Sequence, residues 1–310
     1  MTTLQQDLTM RRPTVDDGQI TVDLMLACDI AEYGEADSDI EDLLYDWTSI
    51  NLEQDAWLVF APDNKLVGYA AIYNDNSHFP FDFNVHPTYE MDELRSFLLA
   101  QCEARTAAQL TEGEKTEKGN ISTIISQVNK KGRQALEQAG FEPQKYHFRM
   151  QIESDKLPPA PTWPEGCTLR TIIAEQDDQL VYDFIQTAFA QPGRTPPSFE
   201  NWRNYMMRPD HFEKDLWFLL FHQDELIGAA LCYDYSEFGW VRQLGVAPSW
   251  RGQGVGSALL QHTFHIFFQQ GHQKVALGVD STRPQAQALY ENVGMTCVRR
   301  FDEYHKTLSN

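Results

Sequence analysis

Between Arg12 and Lys65 this chain has no basic residue at all. Cysteine is scarce too: Cys28, Cys102, Cys167, Cys232 and Cys297 lie far apart, with no C-x-x-C pair. An odd, scattered set excludes a disulfide framework or a zinc site and reads as reduced thiols in a cytoplasmic protein. No apolar run approaches the roughly 18–20 residues that span a bilayer; Leu216 to Phe221 is among the longest. The start, Met1-Thr-Thr-Leu-Gln-Gln-Asp7, lacks the basic and then apolar regions of a signal peptide, so neither secretion nor a membrane partner is expected. No His, Asp or Glu cluster has metal-ligand spacing, and no G-x-S-x-G elbow marks a serine hydrolase, so no metal is expected.

What is present is length, apolar content and acid. At roughly 100–200 residues per domain, 310 residues suggest two domains. Hydrophobic residues at 42% and aromatics at 12% give each a core to bury, which excludes intrinsic disorder. Lys and Arg number 25 against 45 Asp and Glu, a net charge of −20, which argues against wrapping nucleic acid. The charge is uneven: residues 1–155 hold 28 acids and 12 bases, whereas 156–310 hold 17 and 13. Asp29, Glu32, Glu35, Asp37, Asp39, Glu41, Asp42 and Asp46 crowd together. Such a run reads either as a solvated helical face or as a surface for a cationic partner.

The chain repeats one unit twice. Asp55–Gly68 aligns without gaps against Asp215–Gly228, each reading as strand, polar turn, strand. Leu8–Arg11 matches Cys167–Arg170, Val85–Tyr89 matches Val246–Trp250, and Leu136–Phe141 matches Tyr290–Met295, in the same order. Between the copies, four prolines in Lys156–Pro164 suit a stiff, extended connector. The expected division is therefore 1–155, a linker at 156–166, and 167–310. Thr111–Asn120 reads as an exposed loop, and Pro192–Pro197 as a break between two short helices. In the second copy the patterns predict strands near 167–172, 216–222, 226–235, 238–246, 274–280 and 295–307. Helices are predicted near 177–190, 198–208, 254–270 and 284–293. This is an α+β layering, not a strictly alternating doubly wound sheet.

One segment carries chemistry. A strand, Trp240–Val246, runs through Ala-Pro-Ser-Trp into Arg251-Gly-Gln-Gly-Val-Gly256, and an apolar helix follows. Glycines let backbone amides approach a ligand, and a helix N-terminus adds unpaired N–H groups at its positive dipole end. The segment is either a pyrophosphate cradle or a plain structural turn. A Walker A loop is excluded because Gly-Lys-Ser/Thr is absent, and a dinucleotide fingerprint because Ser257 stands where a third glycine is needed.

Leu244-Gly-Val-Ala-Pro248 with Arg251–Gly256 resembles motif A of the GNAT superfamily of N-acetyltransferases, and Ala286–Met295 is similar to its motif B. Through the repeat, the whole chain resembles tandem-GNAT proteins of the mycothiol synthase type. The resemblance implies two tandem GNAT-like domains, each a mixed, mostly antiparallel sheet flanked by helices. It implies acetyl-CoA as co-substrate in a split between two strands, with no metal. Leu244, Gly245 and Val246 would run beside the pantetheine arm. Arg251, Gly252, Gln253, Gly254, Val255 and Gly256 would hold the pyrophosphate. Tyr290 would stand near the thioester sulfur as proton donor; the alternative is a core tyrosine satisfied by a backbone group.

The first copy departs where it matters. Glu90-Met-Asp-Glu-Leu-Arg95 stands opposite Arg251–Gly256, and Leu136 opposite Tyr290, so this copy is expected neither to bind acetyl-CoA nor to catalyse. In proteins of the mycothiol synthase type the base is a carboxylate on the strand leading into motif A, a position that falls by register on Trp240. Simple alternation puts Trp240, Arg242 and Leu244 on one face, none of them a base at neutral pH. Asp234 and Glu237 are fallback bases that also read as turn residues. Arg283 replaces a family asparagine, and reads as exposed or as reaching a coenzyme phosphate. His262 and His265 read as packing or surface residues. The expectation is a cytoplasmic N-acetyltransferase acting on a small-molecule amine, active in its C-terminal domain and monomeric as a fused pseudo-dimer. A non-catalytic acyl-CoA sensor stays open, because no base is evident. Arg194, Arg203, Arg208 and Lys214 near the expected acceptor site make the overall acidity a poor guide to the acceptor.

Overall fold

Apolar runs bounded by turn residues become the strands. The computed structural model describes residues 7–73, 78–89, 91–112, 118–191, 195–235 and 237–309, without the side chains of Glu112 and Ser309. Glu90, Arg194 and most of the segment expected as a loop at 111–120 lie outside these residues, although Thr111 and Glu112 still belong to a helix and Lys118–Asn120 to a strand.

In chain order the first copy comprises β1 (Thr9–Arg11), α1 (Gly18–Tyr33), α2 (Ile40–Trp47), α3 (Leu52–Asp55), β2 (Ala56–Phe60), β3 (Leu66–Ile72), β4 (His78–Val85), α4 (Asp92–Glu112), β5 (Lys118–Ser126), α5 (Lys130–Gln138) and β6 (Glu142–Glu153). The second repeats the order: β7 (Cys167–Thr171), α6 (Asp178–Ala188), α7 (Phe199–Met206), β8 (Trp217–His222), β9 (Glu225–Asp234), β10 (Gly239–Val246), α8 (Val255–Gln269), β11 (Lys274–Asp280), α9 (Pro284–Asn292) and β12 (Thr296–Ser309). Each predicted element of the second copy is found, its ends shifted by no more than two residues.

The chain divides into two compact units, Met1–Tyr146 with Arg300–Asn310, and His147–Arg299. These are not the two copies. The last strand of the second copy completes the first unit, where Phe301–Ser309 pair antiparallel with Ser126–Lys118. The last strand of the first copy completes the second unit, where His147–Glu153 pair antiparallel with Asp280–Lys274. The first unit's strands run β1-β2-β3-β4-β5-β12 and the second's β6-β11-β10-β9-β8-β7. Within each, all pairing is antiparallel except one short parallel contact, β4 with β5 and β10 with β11.

Equivalent residues do equivalent work. Gly68 and Gly228 lie where a helix crosses the meander, and an added Cβ would meet Leu94 at 3.3 Å or Leu259 at 2.8 Å. In α8, Val255, Leu259, Phe264 and Phe267 recur at helical spacing and are buried against β8, β9 and β10 residues, each contributing on the order of 1.5–3 kcal/mol. Trp57 and Trp217 are buried in corresponding strands. Arg11 grips Asp17 through two hydrogen bonds of 2.6 and 2.7 Å and stacks on Phe60 at 4.7 Å. Arg170 does the same to Asp177, at 2.6 and 3.0 Å, and stacks on Phe221 at 4.6 Å.

The Arg11 guanidinium holds the Asp17 carboxyl down at about 2. A depressed carboxylate stabilises the fold above its unfolded value of about 3.9, and the contribution is lost as pH falls through about 2. Asp17→Asn should therefore lower stability by about 1–3 kcal/mol at neutral pH. It should also flatten the decline between about pH 4 and 2, which urea unfolding across that window measures.

The acids between Asp29 and Asp46 have structural work as well. Asp29 accepts hydrogen bonds from the Asp37 and Ser38 amides and the Ser38 hydroxyl, which fastens the α1–α2 turn. Asp39 caps α2 by accepting from the Asp42 amide. No helix among the described residues is long and apolar enough to cross a membrane.

Candidate active site

The parallel pairing of β10 with β11 lasts two residues, Gly239 with Val275 and Trp240 with Ala276. Beyond Trp240, β10 stays with β9 while β11 stays with β6, so these two neighbouring strands diverge. The space between them is a cleft of about 1280 Å³, lined by Arg242–Val246, Arg251, Gly252, Gly254–Ser257, Gly278–Asp280, Arg283 and Tyr290 among others.

The floor at one end is a glycine loop turning into α8. Gly252 and Gly254 have φ of +76° and +83°, a left-handed backbone that side chains other than Gly rarely adopt. Gly256 has no such φ, but a Cβ there would approach Leu289 to 3.0 Å. The first helical bond runs from the Ala258 amide to the Gly254 carbonyl, leaving the Val255, Gly256 and Ser257 amides without an intrahelical acceptor. Arg251 is exposed, and its guanidinium donates to the Ala188 carbonyl at 2.9 Å at the last turn of α6. It thereby ties the loop to that helix end. The loop thus presents amide donors and a helix dipole to an anion. Gln253 and Val255 belong to the same turn: the Gln253 side chain bonds back to the Ser249 carbonyl at 2.8 Å, and Val255 is buried against the sheet.

Leu244 and Val246 pack on the α8 side of β10, and Gly245 meets Phe184, Ile185 and Ala188 on the α6 side. Tyr290 comes from α9 and is 9% exposed. Among the described residues its hydroxyl has no hydrogen-bond partner, so the expected alternative of a core tyrosine satisfied by a backbone group is not what the structure shows. Burial pushes its phenol above the usual value, with Arg283 pulling the other way.

Three expectations need correction. Trp240, Arg242 and Leu244 do not share a face, because a β-bulge intervenes: Val241 pairs with Cys232 but Gln243 with Leu231. The extra residue reverses the alternation, so Trp240 packs with the α6–α7 core while Leu244 packs with α8. In the first unit the matching strand pair, β3 with β4, keeps an unbroken register from Gly68–Val85 to Ile72–Phe81. Second, Arg283 is half-buried in the cleft, with its guanidinium over the Phe189 ring at 5.0 Å. Third, neither Asp234 nor Glu237 lines the cleft; Asp234 bonds His272 at 3.2 Å. The histidines on α8 are packing residues: His262 lies between Phe218 and Trp163, its pKa lowered to about 4 by burial, and His265 bonds the Pro158 carbonyl.

Two cleft residues escaped the sequence. Gln243 sits beside the bulge, and its buried Oε1 has no hydrogen-bond partner among the described residues. Asp280, at the end of β11, is the only carboxylate among the described residues that line the cleft.

The corresponding place in the first unit carries different side chains. Leu136, opposite Tyr290, is fully buried, and Phe81 packs on Phe83 and Phe141 at 5.9 and 5.6 Å. The helix that stands for α8 is α4, whose first turn carries Asp92 and Glu93.

Residues 169–295 match the acetyltransferase (GNAT) family. A GCN5-related N-acetyltransferase from Sphaerobacter thermophilus is 30% identical over 99% of this chain and 98% of its own, with a TM-score of 0.85. The chain belongs to the GNAT family. A tandem GNAT protein from the clavulanic acid biosynthesis pathway has the same fold, with a TM-score of 0.73 and 14% identity over 97% of this chain and 98% of its own. The mycothiol acetyltransferase of Streptomyces coelicolor is 30% identical over 138 residues, 44% of this chain and 45% of the relative. That of Catenulispora acidiphila is 27% identical over 165 residues, 51% and 52% of the two chains. The aligned stretch spans about half the length of these curated relatives. The GNAT match lies on the copy that holds the glycine loop and Tyr290.

Proposed function

We propose that the chain is an acetyl-CoA-dependent N-acetyltransferase that transfers acetyl directly to a small-molecule amine, and that only the second unit catalyses. The observation that carries this reading is the contrast between the units. One strand split is open, glycine-floored and supplied with Tyr290; at its counterpart Leu136 stands in place of the tyrosine, and Asp92 and Glu93 occupy the first turn of the helix. The cleft suits acetyl-CoA: the Val255, Gly256 and Ser257 amides have no intrahelical acceptor and can receive a pyrophosphate, and the edge of β10 toward β11 at Leu244 and Val246, which no described strand pairs beyond Trp240, can meet the pantetheine amides.

Bound acetyl-CoA supplies an acyl group activated as a thioester. Tyr290 holds a proton at its hydroxyl and donates it to the departing sulfur. Gly252 and Gly254 keep the loop open to the diphosphate, and Arg251 holds that loop against α6. The first unit serves as a structural partner. Trp240, where the mycothiol synthase type calls for a carboxylate, separates this cleft from that type, so the acceptor of the curated relatives is not assigned here.

Incubating the protein with acetyl-CoA and a mixed panel of primary alkylamines and arylamines tests the reading. Mass spectrometry should find at least one N-acetylated product and a matching release of free thiol. Tight acetyl-CoA binding with no acetylated amine would instead support an acyl-CoA sensor.

A further inference from the structure

The proposed transfer needs a group to take the acceptor's proton, and Trp240 stands where the mycothiol synthase type carries it. The structure offers another on the opposite arm of the split. Val275, Leu277 and Val279 of β11 face the core beneath α8 and α9. Gly278 faces the other way, where a Cβ would lie 3.8 Å from the Trp240 indole. A strand alternates, so Asp280 shares the Gly278 and Trp240 side. There β11 is no longer paired with β10, and Asp280 borders the open cleft.

Its carboxylate is oriented. Oδ1 accepts from the Thr282 amide at 2.7 Å, and the Asp280 carbonyl accepts from the Arg283 amide at 3.0 Å, in the turn that starts α9 and so carries Tyr290. A carboxylate has about four acceptor sites, more than one turn amide fills. Across the split, Gln243 stands two residues before Gly245 on the α6 side of β10, with its buried Oε1 unpartnered. One oxygen acceptor therefore comes from each arm, and a primary ammonium has N–H groups for both.

We propose that Asp280 is the general base of the transfer, acting directly or through one water, with Gln243 orienting the amine. This rests on the function proposed above. Asp280 accepts a proton from the acceptor ammonium; the neutral nitrogen forms its bond to the acetyl carbon while the carbon–sulfur bond breaks. Tyr290 gives its proton to the sulfur and regains one from the new amide nitrogen, and the Asp280 carboxyl releases its proton to solvent. The products are the acetylated amine, free coenzyme A and one proton.

Asp280→Asn keeps the acceptor for the Thr282 amide and removes the base. With alkylamines, which are ammonium ions at pH 7, kcat/KM should fall about 100-fold or more and recover as pH rises. With arylamines, already neutral, it should change by less than about threefold. Calorimetric affinity for acetyl-CoA should be unchanged, and Asp280→Glu should restore part of the alkylamine rate. An equal loss for both amine classes, or no loss for either, overturns the assignment. If the wild-type protein acetylates no amine of either class, the parent function fails and the base with it. That result is distinct from wild-type turnover that Asp280→Asn leaves untouched.

Discussion

Gly254→Glu is expected to abolish acetyl-CoA binding, with calorimetric affinity falling at least about 100-fold. Two effects act together. Gly254 is the N-cap of α8 at φ +83°, where an L side chain costs roughly 1–2 kcal/mol. A carboxylate there would also draw on the same amides and dipole that would receive a diphosphate, so the like charges repel. A Cβ at this position meets nothing within 4 Å, so the fold should survive the change. Gly254→Asn separates the effects, since asparagine tolerates a left-handed backbone and brings no charge; it should retain much of the affinity. Unchanged binding by the glutamate variant would contradict the cradle.

Tyr290→Phe is expected to lower kcat about 100- to 1000-fold while acetyl-CoA affinity moves little. Among the described residues the hydroxyl has no partner, so its removal should leave stability near wild type. The pH dependence has a definite sign. The phenol must be protonated to act, and burial raises its pKa above the usual value near 10. On the basic side the wild-type rate should hold up to that raised value and fall as pH climbs through it, and the phenylalanine variant should lack this basic limb. An unaltered kcat would remove Tyr290 from the chemistry.

Much of this was legible in the sequence. The gapless match of Asp55–Gly68 to Asp215–Gly228 gave both meanders, and periodicity placed the second copy's helices and strands within two residues. The glycine loop was legible because left-handed turns and close helix packing restrict residue choice. The bulge between Val241 and Gln243 was not, since one extra residue leaves composition unchanged while reversing which side chains face which way. Neither was the exchange of terminal strands: an alternating strand satisfies the edge of either sheet, and pattern alone does not name its partner. Asp280 was hidden for a third reason. An aspartate two residues before a turn amide reads as a turn former, which it also is; only the divergence of β10 from β11 opens its other side to a cleft.

A crystal structure with coenzyme A bound tests the central claim most directly. The account predicts the pyrophosphate against the amides of residues 252–257, the pantetheine beside Leu244 and Val246, and the sulfur within reach of the Tyr290 hydroxyl. The split between β4 and β5 should hold no coenzyme. Coenzyme A seated between β4 and β5, or bound in the second unit with its sulfur far from Tyr290, would contradict it.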